Sequence, residues 1–184
     1  DTWKTATYEG EIFAIPVPQN QVSTTGVLMR VDWLEGLNLA VPETLDEYYE
    51  VLKALKDSGL GGDNTIPFAG GAGGDTGNAF GHIEAFAGAF GLGARYIEKD
   101  GKVVHTYTEP EAKEFLSYMN KLYKEGLLNS EYPVDKLTTI QEKLVGERAA
   151  ASTVGWANAK SIVEAIEENN PKAKLEYIHP PVGP

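Results

Sequence analysis

Short apolar runs alternate with stretches of helical period along most of this chain, and each boundary carries its own stop or start signal. That alternation limits the architecture more than any other feature. Strands separated by helices can bury their apolar faces together only by layering, so the sequence predicts an α/β domain with a largely parallel sheet. A turn at Glu9-Gly10 leads into an extended run, Ile12 to Val17, in which Pro16 and Pro18 keep the backbone open. Strands are predicted over Gly26–Val31, Thr65–Phe68, Arg148–Val154 and Leu175–Ile178, with a hairpin from Tyr96 to Tyr107 around Asp100-Gly101.

The helices announce themselves by their ends. Thr44 with Glu47 reads as a capping box, Leu45, Tyr49, Leu52 and Leu55 share one face, and Gly59 stops the helix. Ala79 to Phe90 reads as a helix of small residues. Thr108 with Glu111 reads as a second capping box, with Pro110 in the first turn and a stripe of Phe115, Leu116, Met119, Leu122 and Tyr123 ending at Gly126. Leu137, Ile140, Leu144 and Val145 mark a further helix, and Gly155-Trp156-Ala157-Asn158 opens the last one.

Composition narrows the function. The 184 residues carry 16 basic and 27 acidic side chains, a formal charge of -11. A chain this acidic, with no basic run, is a poor partner for nucleic acid or an anionic membrane face. It holds no cysteine, which removes disulfides, thiolate metal sites and cysteine nucleophiles. No apolar run approaches the roughly 18 residues of a membrane-spanning helix. There is no starting Met or signal peptide, and the chain is read as a piece of a longer protein.

Several pieces arrive in a characteristic order: Y-x-G-x-I-x-A-I-P from Tyr8, V-L-M-R-x-D-W-L from Val27, V-P-x-T-L-D-E-Y-Y-E-V-L-K from Val41, I-P-F, the D-G-K hairpin, K-L-Y-x-E-G-L, G-E-R-A-A, G-W and a return strand ending P-P-x-G-P. No single piece is specific. The ordered set resembles the extracellular solute-binding proteins of ABC importers, most nearly the lipoprotein, sugar-importer branch. The resemblance implies one lobe of a type II periplasmic-binding-protein-like fold, a layered sheet with helices on both faces. Residues 1–184 then form lobe two, with hinge strands near 11–18 and 174–181. Lobe one, with its lipid-anchored cysteine, is absent. The resemblance further implies a carbohydrate or oligosaccharide as solute, no cofactor, ABC permease subunits as partners of the full-length protein, and a place outside the cytoplasm on the outer face of the membrane or in the periplasm.

Candidate ligand contacts follow from position. The glycine-rich stretch Gly70–Asn78 lacks the spacing of a phosphate loop. It follows a predicted strand, and ligands of open α/β sheets sit beyond the carboxyl ends of strands. Asp75 and Asn78 can exchange hydrogen bonds with sugar hydroxyls there; the alternative is a plain connecting loop. Trp156 also follows a strand. It is either core or an indole face that stacks on a pyranose, as family members similarly place an aromatic here. Asn158 can bond a hydroxyl. Gln19 and Asn20, with Gln21, sit where the hinge strand meets the cleft, or form a solvated loop. Arg30 is a charge inside an apolar strand. It either forks onto ligand oxygens or pairs with Asp32 while its stem packs. Trp33 and Leu34 read as core.

Catalytic motifs do not stand out. G-x-S-x-G and H-E-x-x-H are missing, and His82, His105 and His179 have no ligand spacing. Acidic residues are plentiful, so a fragment of a carbohydrate-active hydrolase with a carboxylate pair is the alternative to a binding module, and a purely structural interaction domain is a third reading.

Overall fold

A computed structural model describes residues 2–16, 25–73, 80–93 and 96–183. The chain opens with a 3₁₀ turn, Thr2–Ala6, and a two-stranded ribbon of β1 (Thr7–Tyr8) and β2 (Glu11–Ile12). None of these residues is buried. β3 (Thr25–Arg30) follows, then α1 (Val31–Leu37), α2 (Leu45–Ser58) and β4 (Ile66–Phe68). A 3₁₀ segment, Gly81–Phe90, precedes the hairpin of β5 (Tyr96–Lys99) and β6 (Lys102–His105). After a 3₁₀ turn at Thr106–Thr108 come α3 (Pro110–Lys124), α4 (Leu137–Val145), β7 (Ala149–Gly155), α5 (Trp156–Asn169) and β8 (Leu175–Ile178).

The central sheet has the order β4-β7-β3-β8. β4 and β7 are parallel, but β3 is antiparallel to both β7 and β8. The sheet is therefore mixed, not largely parallel. The crossover rule governs strands that follow one another with a helix between them. β3 instead takes its partners from far along the chain, Thr25 opposite Gly155 and Arg30 opposite Leu175, so local alternation does not set its direction.

Successive side chains of β3 face opposite layers. Val27 and Met29 enter one core with α1, α2, Gly81–Phe90 and α3, while Leu28 enters another with α4 and α5. Both faces of the strand are dry, which is why it reads as an unbroken apolar run. Helices thus cover both faces of the sheet, as the resemblance implies.

Local chemistry explains the ends. Thr44 Oγ1 accepts from the Glu47 amide, and the Glu47 carboxylate accepts from the amides of Thr44 and Glu43. These bonds hold the Glu47 carboxyl below its ordinary range. Gly59 then closes α2 at φ +67. The buried face of α2 is Tyr48, Val51, Leu52 and Leu55. That face is turned slightly from the expected one, with Tyr49 at its rim beneath the Lys121 ammonium. The second expected capping box does not form. Thr108 lies in a preceding turn and donates to the His105 carbonyl, leaving Glu109 in the cap position without a side-chain cap and Pro110 as the first helical residue. Leu116 and Tyr123 of α3 face solvent, outside the buried set of Ala112, Phe115, Met119 and Leu122.

The extended run expected from Ile12 forms only a short strand: Ile12 faces Thr7, residues 13–16 form no strand, and the Leu175–Ile178 strand β8 borders β3 instead. Pro16 has no amide to give a ladder. Asp32, Trp33 and Leu34 lie in the first turn of α1, with Trp33 and Leu34 buried in the core. Past β8 the chain forms a strap. Val182 N–H donates to the Glu43 carbonyl, Tyr48 Oη–H donates to the His179 carbonyl, and a side chain at Gly183 would collide with the Ala89 backbone.

Candidate functional site

β4 and β7 run parallel, so their carboxyl ends open at one edge of the sheet, and Thr25 begins β3 opposite Gly155 at that same edge. The start of the glycine-rich stretch is stitched to the segment that crosses it. Gly70 N–H donates to Asn129 Oδ1 at 2.7 Å, Ala72 N–H to the Tyr132 carbonyl at 2.8 Å, and Gly73 N–H to the Asp135 carbonyl at 2.8 Å. A Cβ at Gly73 would lie 2.2 Å from the Val134 oxygen, so a side chain there would push the two segments apart. Beneath them Asn129 donates to Asp135, and Asp135 pairs with Lys143, all three buried. Burying such a pair is tolerable only because every charge has a partner. Asp75 and Asn78 lie outside the described residues, as do Gln19 and Asn20.

Gly81–Phe90 covers the start of this edge. It is a 3₁₀ segment rather than the expected helix from Ala79, and His82 interrupts its geometry at φ −83, ψ 36. The cause is close approach: Gly81 sits at φ +58, and a Cβ there would lie 2.2 Å from the Gly71 carbonyl oxygen. His82 N–H donates to that carbonyl at 2.9 Å. The half-buried His82 ring bonds to the Thr153 backbone, and burial pulls its pKa below the usual histidine value despite that bond. In the sequence His82 stands out only as one of three scattered histidines, and Thr153 not at all. The signal that was present is Ser152-Thr153, the polar pair in the otherwise small, apolar β7.

Trp156 is the first residue of α5 and is 65 % exposed. It is not core. Its indole borders a shallow depression with Leu28, Ala159, Val163, Leu175 and Tyr177, on the α5 side of the sheet. Tyr177 seals the floor there by donating to the Val154 carbonyl at 2.5 Å. Asn158 is half-buried and turned toward α4, its Oδ1 3.5 Å from Gln141 Nε2.

Arg30 is a correction. It closes β3 at the opposite end of the sheet, 2 % exposed. Its Nε and Nη2 donate to the two Asp32 oxygens at 2.8 and 2.6 Å, its Nη1 donates to Glu147 at 2.9 Å, and its guanidinium lies 4.6 Å from the centre of the Trp33 ring. With its fork already engaged, it has nothing to offer a ligand at the Trp156 end.

A groove follows the open edge of β4, lined by Lys56, Thr65, Asn129, Glu131, Lys143 and Arg148. Its buried ammonium, Lys143, is already satisfied by Asp135 and Glu131. The carboxyls of Glu47 and Glu131 are both held below their ordinary range, first by hydrogen bonds, whereas a glycosidase acid needs its carboxyl raised.

A family model described as bacterial extracellular solute-binding protein matches residues 1–184. The chain belongs to that family. It is 31 % identical over 172 residues to Lipoprotein LipO of Bacillus subtilis (strain 168), covering 90 % of this chain and 33 % of LipO. It is 31 % identical over 186 residues to the polygalacturonan/rhamnogalacturonan-binding protein YtcQ of the same organism, covering 98 % of this chain and 36 % of YtcQ. Its fold is similar to that of alginate-binding protein AlgQ2, with TM-score 0.71 and 27 % identity over 94 % of this chain and 35 % of AlgQ2. An HMO-binding, ABC-transporter-associated solute-binding protein from Bifidobacterium longum infantis ATCC 15697 gives a TM-score of 0.75 at 22 % identity over all of this chain and 39 % of that one. The chain spans about a third of the length of the LipO and YtcQ relatives.

Proposed function

We propose that this chain is the second lobe of an extracytoplasmic solute-binding protein that captures an oligosaccharide between two lobes and delivers it to the permease subunits of an ABC importer. The family match over residues 1–184 is the observation that carries this reading. The carbohydrate-binding names of YtcQ and AlgQ2 support the solute class, and the lipoprotein LipO supports an anchored, extracytoplasmic parent. The mechanism is clamp closure. Ligand bridges the lobes, and its differential contacts with the closed state shift the open–closed equilibrium. No bond is made or broken. On this lobe Trp156 offers an exposed indole for stacking, and Asp75, Asn78, Gln19, Asn20 and Asn158 are the polar candidates for hydroxyls.

The test is calorimetric titration of the full-length protein with galacturonan oligosaccharides, rhamnogalacturonan oligosaccharides and kestose, with product analysis of the same samples. Saturable binding of one of these without cleavage is the expected result. Release of new reducing ends would replace the clamp with the hydrolase reading. A protein that binds none of the three would overturn the solute class.

A further inference from the structure

Lys143 and Asp135 form a buried ion pair that the clamp mechanism leaves unused, with both side chains 7 % exposed. A buried pair is weak ground for stability, and its best-attested use is to fix one register of the chain. Asp135 Oδ2 accepts from Lys143 Nζ and, at 2.7 Å, from Asn129 Nδ2. Asn129 Oδ1 in turn accepts from the Gly70 amide at 2.7 Å. An ammonium only donates and a carboxylate only accepts, so the pair dictates which end of the Asn129 amide meets Gly70.

The segment that carries these groups, residues 129–135, holds the glycine-rich stretch at both ends. On the entering side it takes the amides of Gly70, Ala72 and Gly73, and a Cβ at Gly71 would lie 2.5 Å from the Asp135 carbonyl oxygen. On the leaving side Tyr132 Oη–H donates to the Phe80 carbonyl at 2.9 Å. Tyr132 is tied back to Asn129 by its own amide, which donates to the Asn129 carbonyl at 3.1 Å. Asp75 and Asn78, two of the polar candidates for the solute, fall in sequence between these anchored ends.

We propose that Lys143, Asp135 and Asn129 are positioning residues for solute binding: the buried charge pair orients Asn129, and Asn129 with the 129–135 backbone sets the path of Gly70–Gly73 and Phe80 at the binding edge. None of the three touches solute. The proposal rests on the carbohydrate-binding reading above. Where the network is broken, only the fraction of molecules that keeps this path stays competent, and apparent affinity falls by that fraction. With about a tenth of the molecules left on the path, the loss is about tenfold.

The test uses the full-length protein. Affinity is measured for whichever of the galacturonan, rhamnogalacturonan or kestose probes the wild type binds, and amide hydrogen exchange is followed at Gly70–Gly73. Asn129→Asp keeps an acceptor for Gly70 but sets two carboxylates against one ammonium. It should weaken binding about tenfold and speed the exchange. Adding Asp135→Asn restores one carboxylate and one amide, and should recover most of both losses. Asp135→Asn with Lys143→Met removes the two charges together, a change that buried pairs often tolerate, so it reads positioning even where Asn129→Asp does not fold. Its urea midpoint should stay near that of the wild type while binding weakens several-fold. Wild-type affinity in this neutral variant, or in a folded Asn129→Asp, would show that the network serves the fold alone and would overturn the proposal while leaving the clamp intact. Recovery of slow exchange in the swapped pair without recovery of affinity would overturn it too. Failure of the wild type to bind any of these probes would take the proposal down together with the solute class.

Discussion

At the scale of single residues, Arg30 and Trp156 exchange the roles that their types suggest. Arg30 is a structural clasp: Asp32, two positions on, was legible in the sequence, but Glu147 comes from another element and was not. Removing a partner from a buried ion pair costs about 3–5 kcal/mol when every charge is dry. Asp32 and Glu147 keep some solvent, so Arg30→Ala should cost about 2–3 kcal/mol in urea unfolding and leave the full-length protein's ligand affinity unchanged. Trp156→Ala should behave in the opposite way. An indole this exposed contributes little to the fold, so stability should shift by no more than about 0.5 kcal/mol. Binding by the full-length protein should weaken by about 1 kcal/mol or more. A large stability loss with unchanged affinity would remove Trp156 from the site.

At the scale of elements, what was legible was what is local. Caps, turns and helical period act over a few residues, and they placed α2, α4, α5 and the β5–β6 hairpin, whose Asp100 and Gly101 both take positive φ. Identical capping signatures nevertheless had different outcomes. Thr44 caps α2, whereas Thr108 is drawn into the turn behind α3. Thr44→Ala should therefore cost about 1 kcal/mol in thermal or urea unfolding, and Thr108→Ala no more than about 0.5 kcal/mol. Equal losses would mean that both boxes form. The direction of β3 and the 3₁₀ form of Gly81–Phe90 were not legible, because long-range pairing and one close backbone contact decide them. The candidate site was legible only in part for the same reason. Its edge follows from strand ends, but the meeting of His82 with Thr153 depends on tertiary contact.

For the molecule as a whole, pH tests the burial pattern. Burial raises the Tyr48 and Tyr118 phenols above their usual value near 10. Between the unfolded and folded pKa values the native chain holds more protons than the unfolded one, so stability falls as pH rises above about 10. His82 acts at the other end. Its lowered pKa means that the unfolded chain takes up the proton first, so its contribution is present above about 6.5 and is lost as pH falls. Urea midpoints across pH 5 to 11 should therefore decline at both ends, and the Tyr48→Phe variant should show a shallower alkaline decline. On the proposed clamp reading, in which this chain supplies one of two walls, the chain alone should bind an oligosaccharide ligand of the parent protein only at about millimolar levels or weaker. Micromolar binding by residues 1–184 would contradict the two-lobe mechanism.

The placement of β3 has a consequence in time. Its two ladder partners, β7 and β8, are the last two of the described strands, far along the sequence from β3. On a ribosome adding about 5–20 residues per second, β3 waits on the order of ten seconds for either neighbour to emerge. Throughout that interval Val27, Leu28 and Met29 have no sheet to enter, and both edges of the strand are open to other chains. Nascent copies are at their most adhesive then, and any holdase that protects this chain during synthesis has its best target in the residues that later lie deepest.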